Sequence, residues 1–246
     1  MTNLLKYPIS LKYLYSKDEN KGVNLVLSKG SLTVILGSEN SGKKILCKKI
    51  AGIDSTIPGE VLYFGKNIHE IKNQNLLLYI PSSNLFFENR TIIENLVILG
   101  EFSNIPLKII ERRIKKISPS YGLENIKNLK LLKLPKSIKS ILILCLIEIV
   151  LPEIVIISAQ DFYGDQLKEE FFFKRLIYLK NLGLTIIIAT QRFSNIDNSD
   201  NIILLSESKP IFIGNHTNIA KINNPKDIEL MLLKKIEESY ERIKIN

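Results

Sequence analysis

The stretch ILGSENSGKKILCKKIAG, residues 35 to 52, holds Gly37 and Gly42-Lys43 in the spacing G-x-x-x-x-G-K. Glycines there let a backbone turn its amides toward an anion, and a helix N-terminus behind them adds a favourable dipole. The lysine ammonium then reaches the terminal phosphates of a nucleotide. The apolar run LTVIL stands directly before the loop and a helix-forming segment directly after it, which is the context this chemistry needs. The candidate nucleotide-binding residues are Gly37, Ser38, Asn40, Ser41, Gly42, Lys43 and Lys44. In such loops the residue after the lysine places a hydroxyl on magnesium. Here that residue is Lys44, and an ammonium group, being a donor only, cannot ligate a cation. Glu39 adds a carboxylate to the same loop, where it opposes phosphate.

The elements that must position this loop alternate between strand and helix for most of the chain, the pattern of a sheet covered by helices. ISLKYLYS (9 to 16) and VNLVLSKGSLTVILG (23 to 37) read as neighbouring antiparallel strands with a turn at Lys29 and Gly30. A helix is expected from Gly42 to about Ala51, then a short strand and turn in GEVLYFGKNI, then a buried strand in LLLYIPSS (76 to 83) cut off by Pro81. Residues 90 to 132 read as polar and helical, with Ile109, Ile110, Ile114 and Ile117 at helical spacing. A helix up to Leu151, the strand EIVIIS, and a helix over 165 to 183 stopped by Gly183 follow. In that last helix Leu167, Phe171, Leu176 and Leu179 fall on compatible faces, and the Phe run reads as core packing. LTIIIAT and NIILLS are further buried strands, and an amphipathic helix is expected near the end.

Bulk properties bound the reading. The 246 residues, 45% of them hydrophobic, suit one large globular domain. A formal net charge of +9 permits anionic partners, but the lysines are scattered rather than clustered, so nucleic acid is not expected as a partner. Cys47 and Cys145 are far apart among apolar neighbours and read as reduced core thiols. His69 and His216 are isolated, and no metal-ligand spacing occurs. ILILCLIEIVLPEIVIIS (141 to 158) has the apolarity of a membrane span, yet Glu148, Pro152 and Glu153 interrupt it where a span wants about twenty apolar residues. It divides into a buried helix and a buried strand. The opening residues show no apolar leader, so neither secretion nor insertion is indicated.

From about residue 9 to 214 the sequence resembles the ATP-binding subunit of ABC transporters. VNLVLSKGSLTVILGSENSGKK is similar to that family's strand, turn and phosphate loop, and PGEVLYFGKNI to the stretch that follows. LYIPSSNLFFENRTIIENLVI resembles the segment around its Q-loop. LPKSIKSILILCLIEIVLPEIVIISAQDFYGD keeps the register from its signature motif through the Walker B strand to the D-loop, and LTIIIATQRFSNIDNSDNIILLSESKPIFIG mirrors the switch strand and closing strands. The resemblance implies an α/β fold of the P-loop NTPase, ABC-ATPase type: a mixed sheet with an antiparallel N-terminal β part and a helical subdomain. It also implies a single ABC-ATPase-like domain over 1–214, the subdomain inserted at about 85–135, and a helical tail at 215–246.

The same resemblance identifies what has changed. Where the family holds magnesium and activates water at the Walker B end, this chain has Ser158 and Ala159. The Q-loop glutamine is replaced by Ser82 and the switch histidine by Gln191, which hydrogen-bonds but shuttles no proton. The glycine-rich signature becomes Leu134, Pro135, Lys136, Ser137 and Ile138, in which Pro135 has no amide hydrogen. Asp165 keeps the D-loop position and is equally suited to cap a helix. Asp161 lies beyond the strand end, displaced from the Walker B place.

The expected function is a non-hydrolysing subunit of a membrane ABC transporter, structural or regulatory, with no catalytic residue and no metal site. Two states of the loop are open, ATP bound without metal or a loop held empty, and magnesium is not expected in it. Expected partners are a membrane-spanning transporter subunit and another ABC ATPase subunit, as homo- or heterodimer, on the cytoplasmic face of a membrane. The spacing in ENLVILGEFSNIPLKIIERRIKKI is similar to exporter-type subunits. The alternatives are a conventional but slow transporter ATPase, and a soluble nucleotide-sensing scaffold.

Overall fold

The computed structural model describes residues 8–15, 22–71, 76–82, 85–158, 166–191 and 198–215. The chain forms two compact units: Met1–Ile71 with Thr185–Asn246, and Lys72–Leu184.

In the first unit an antiparallel sheet runs in the order β2-β1-β4, from β1 (Ile9–Leu14), β2 (Val23–Leu27) and β4 (Glu60–Tyr63). β1 buries Ile9 and Leu11 in the alternation that a sheet with one packed face requires, and Leu14 after a register shift in its pairing with β2. A second sheet has β3 (Leu32–Leu36) between two parallel neighbours, β7 (Thr185–Thr190) and β8 (Asn201–Ser206), with β9 (Lys209–Gly214) antiparallel beside β8. Ile35 faces Ala189 on one side and Ile203 on the other. Every residue of β3 and β7 is buried, the continuous apolar pattern of a central parallel strand. The expected antiparallel pairing of 9–16 with the next strand is met by β1 and β2, and the expected turn at Lys29 and Gly30 is present, but the strand after it, β3, joins the other sheet. The turn at Lys29 and Gly30 hands the chain from the antiparallel sheet to the parallel one, because β3 is apolar on both faces and needs cover on both.

After β3, α1 (Lys43–Ile50) turns Leu46, Cys47 and Ile50 inward. Cys47 and Cys145 are both free and buried, as expected of core thiols.

In the second unit β5 (Leu77–Ile80) pairs in parallel with β6 (Ile154–Ile157). Around them stand α2 (Ile92–Phe102), α3 (Leu107–Ile117), α4 (Ile138–Val150) and α5 (Gln166–Asn181). The expected isoleucine stripe is seen in α3, where Ile110, Ile114 and Ile117 are buried. α4 is buried nearly all round, from Leu142 to Ile147 and again at Ile149 and Val150, which explains its membrane-like composition. It ends at Leu151, left-handed at φ 55°, one residue before Pro152. No helix among the described residues is long and apolar enough to cross a membrane. In α5 the inward face is carried by Phe172, Phe173, Leu176 and Leu179, while Phe171, expected inside, is 44% exposed with its ring edge-on to Tyr121. One position of offset on a helix rotates a side chain by about 100°, enough to exchange inside for outside.

A polar cluster ties this unit together. Glu148 of α4 accepts from Arg175 Nε (2.8 Å) and Nη2 (2.6 Å) of α5 and from the Tyr121 hydroxyl, and the Arg175 guanidinium lies 5.4 Å from the Tyr121 ring centroid and 4.5 Å from that of Tyr178. The long apolar helix thus takes its one internal carboxylate to a partner that needs it.

Candidate functional site

The phosphate loop is built from the strand outward. Asp200 Oδ2 accepts from the Leu32 amide (2.7 Å) and Thr185 Oγ1 from the Gly30 amide (3.2 Å), so the start of β3 is pinned by residues at the entrances of both its neighbours. The pinned strand delivers Gly37 to the carboxyl end of the sheet, where ligands of open α/β sheets bind. A Cβ on Gly37 would stand 2.5 Å from the Leu205 carbonyl oxygen, and one on Gly42, at φ +88°, would stand 2.9 Å from Ser208 Cα. Both glycines are therefore required by close backbone approach, in addition to the freedom that Gly42 needs to begin a helix from the left-handed region.

Lys43 is fully buried. Its Nζ donates to the carbonyl oxygens of Gly37 and Ser38, with Ser41 Oγ at 3.4 Å. The first two carbonyls of the loop hold the ammonium in the middle of the turn, and Ser41, itself buried, closes the loop with its amide on Ser38 O (3.2 Å). Ser38, Glu39 and Asn40 are exposed, and Lys44 is half-buried in the first turn of α1.

Sequence reasoning missed one support of this loop. Glu207 and Ser208 form the two-residue turn between β8 and β9, both at positive φ (48° and 59°), and the Ser208 amide donates to Ser41 O (3.1 Å). The signal was present: two residues between two apolar runs is the commonest hairpin length, but Glu-Ser lacks the Asn-Gly chemistry that marks such turns.

The structure gathers the remaining sequence-selected residues by unit. Gln191 follows β7 immediately and is exposed; since Leu36 pairs with Thr190, it stands at the same strand end as Gly37 in the first unit. In the second unit Ser82 and Ser158 lie just past β5 and β6, with the Ser158 amide donating to Ile80 O (2.8 Å). Ser158 is fully buried and its hydroxyl has no hydrogen-bond partner. Ala159, Asp161 and Asp165, and the tail expected over 215–246 apart from Asn215, lie outside the described residues.

The segment Leu134 to Ile138 leads into α4 through a tight turn. The amides of Ile138, Lys139 and Ser140 donate to the carbonyls of Pro135, Lys136 and Ser137, and Ser140 Oγ donates to Ser137 O (2.7 Å). The helix-end amides that an anion would use are turned back onto their own chain.

The TIIENL segment has a clear structural part. Thr91 and Glu94 form a reciprocal capping box at the start of α2. Asn95, fully buried, accepts from the Phe87 amide (2.7 Å) and donates to the carbonyls of Phe87 (3.0 Å) and Thr91 (2.9 Å). One side chain thereby fixes the loop before the helix. At the far end of α1 lies a cavity of about 510 Å³ bordered by Lys49, Asp54, Glu60, Tyr63 and His69. It is separate from the phosphate loop by the length of that helix.

Comparison with known proteins agrees with this architecture. The molybdate/tungstate import ATP-binding protein WtpC of Pyrococcus abyssi is 23% identical over 216 residues, covering 87% of this chain and 62% of that protein. WtpC of Pyrococcus horikoshii is 23% identical over 181 residues, 73% of this chain and 52% of its own length, so this chain spans little more than half of these relatives. The energy-coupling factor transporter ATP-binding protein EcfA2 of Clostridium perfringens is 24% identical over 216 residues, covering 83% of this chain and 75% of that protein. Among solved structures, cbiO1 from Clostridium perfringens, described as part of the ABC transporter complex cbiONQ, superposes with a TM-score of 0.69 at 22% identity, covering 92% of this chain and 99% of its own. An ATP binding subunit of an ABC transporter superposes with a TM-score of 0.74 at 18% identity over the same shares. The fold is that of an ABC-type P-loop ATPase domain. The family model described as ABC transporter matches residues 20–156, more than half of the sequence, and the chain belongs to the ABC transporter family.

Proposed function

We propose that this chain is the ATP-binding-type subunit of a membrane ABC transporter, that it holds nucleotide in the loop of Gly37 to Lys44, and that it does not hydrolyse it. The observation that carries the second half is Ser158. It closes β6 where the family resemblance puts a magnesium-holding carboxylate, it is fully buried, and its hydroxyl is unpartnered. A hydroxyl there supplies neither the charge nor the basicity of a carboxylate.

A divalent ion does not fit the residues present. Lys44 brings an ammonium to the position of the metal-bound hydroxyl, and Ser158 brings a neutral group to the position of the carboxylate. Among the described residues no three His, Cys, Asp or Glu side chains come together as a metal site. A positioned general base contributes about 10² to 10⁴ in rate and a catalytic metal several kcal/mol, so losing both leaves little catalysis. What this chain's residues do supply is binding: Gly37 and Gly42 shape the loop, Lys43 and Lys44 bring positive charge, and Gln191 offers a hydrogen bond at the same strand end. In this reading Ser82 no longer senses the nucleotide, and the turned-back amides of 138 to 140 support no bond to a second subunit's phosphates.

The names of the relatives, transporter ATP-binding proteins and part of an ABC transporter complex, support a place in a transporter assembly; the membrane-spanning partner, the second ABC subunit and the position on the cytoplasmic face of the membrane belong to the reading proposed here. The names do not support the exporter-like direction expected from the spacing after Glu94, because the WtpC proteins are named for import. The slow-ATPase alternative needs a carboxylate directly after an apolar strand, and Ser158 and Gln191 stand there.

The test is phosphate release from ATP with magnesium present, measured on the full chain and on Lys43→Ala. Equal, background rates are expected. Turnover that disappears in Lys43→Ala refutes the reading, and detergent copurification that yields a soluble complex without any membrane protein refutes the transporter assignment.

A further inference from the structure

The start of α1 has an unusual charge arrangement for a helix. Its first two residues are Lys43 and Lys44, its first turn holds no acidic residue, and its N-cap, Gly42, has no side-chain cap. Helix N-termini carry partial positive charge and favour acidic side chains, so two ammonium groups in this turn repel both the dipole and each other. The arrangement is stabilised when an anion lies among them. Lys43 is engaged by the loop's own carbonyls, whereas Lys44, half-buried, makes no side-chain hydrogen bond or ion pair among the described residues.

A nucleoside triphosphate brings several negative charges, which a divalent ion ordinarily offsets from a position next to the residue that follows the loop lysine. That residue is Lys44, which repels a cation and attracts the same phosphate oxygens. We propose that the loop takes the triphosphate of a nucleotide free of divalent metal, with the Lys44 ammonium supplying the charge that the ion would otherwise bring. The inference rests on the reading that this loop holds nucleotide, and it assigns the form of the ligand: the metal-free polyphosphate, not its magnesium complex. Glu39, exposed in the same loop, opposes the ligand and limits its affinity.

Calorimetric titration of the full chain with ATP, once in chelator and once in excess magnesium, tests this. Affinity in chelator is expected to match or exceed that in magnesium. Lys44→Ser, which restores the ordinary loop sequence at a half-buried position, is expected to weaken binding in chelator by about tenfold or more, and Lys44→Arg to hold it within about threefold. Glu39→Gln is expected to tighten binding. Thermal melts of the variants confirm that each is folded. Magnesium that tightens wild-type binding by about tenfold, or Lys44→Ser that binds unchanged in chelator, overturns the proposal. So does the absence of any binding heat under either condition, which also refutes nucleotide holding by the loop and leaves only the non-hydrolysing part of the proposed function, whereas weak binding in chelator with tight binding in magnesium overturns this proposal alone.

Discussion

Replacing Glu148 with alanine should destabilise the second unit more than any surface change. The carboxylate is 14% exposed and serves two guanidinium hydrogens of Arg175 and the Tyr121 hydroxyl; Arg175 is 26% exposed. At 2.6 Å and an effective dielectric constant of about 20, the direct attraction is of order 6 kcal/mol, most of it cancelled by the desolvation of both ions. Removing one member of a buried pair costs about 3–5 kcal/mol, and partial access of water to Arg175 lowers this, so a loss of about 2–4 kcal/mol is expected. The chain has no tryptophan, so urea unfolding is best followed by circular dichroism. Arg175→Met should cost a comparable amount. The double variant should lose much less than the sum, because the second substitution removes the stranded charge. A Glu148→Ala loss below about 0.5 kcal/mol, or losses that add to within that amount, would refute the coupling.

Asn95→Leu strands the Phe87 amide and removes one of the two donors to each of the Phe87, Arg90 and Thr91 carbonyls, and should cost about 1–3 kcal/mol, read as a lowered urea midpoint with unchanged slope; a neutral result removes the stapling role. Glu207→Asn with Ser208→Gly gives the β8–β9 turn the residues its positive φ values favour while keeping the amide bond to Ser41, and should raise stability by about 1–2 kcal/mol. A melting temperature that falls would show that the Ser208 side chain itself supports the loop. Burial pushes the phenols of Tyr15, Tyr63 and Tyr121 above the usual value of 10.0, with Cys47 adding at Tyr15 and the hydrogen bond to Glu148 adding at Tyr121. The unfolded chain then releases protons near pH 10 that the folded chain keeps, so this stability is fully present below about pH 10 and is lost as pH rises beyond it. Urea midpoints that stay level from pH 9 to about pH 11 would contradict this.

The strands and helices were legible because apolar period and turn residues agreed at most places: LTVIL before a glycine-rich loop, Pro81 and Pro152 at boundaries, Gly183 after α5. What the sequence concealed was partnership. A run such as VNLVLSKGSLTVILG has no mark telling that its two halves join different sheets, because β3 finds its neighbours about 150 residues further on. Phe171 and Phe172 differ by one position, and neighbouring apolar residues blur the helical face. At the site, the glycines and lysines of the loop were legible from spacing, while the pressing contact of Ser208 was not, since an ordinary Glu-Ser pair adopts a conformation usually left to Asn-Gly.

The sandwiching of β3 between strands from the far end of the chain sets an order of synthesis. At ribosomal speeds of about 5–20 residues per second, β3 emerges on the order of ten seconds before β7 and β8 do. During that interval an apolar strand has no lateral neighbour from its own sheet, while the intervening 72–184 segment is being made and reaches completion just before β7 begins. Nascent chains halted before Thr185 should therefore display β3 as a sticky, protease-sensitive stretch that chaperones bind, and release of the chain past Ser206 should end that exposure.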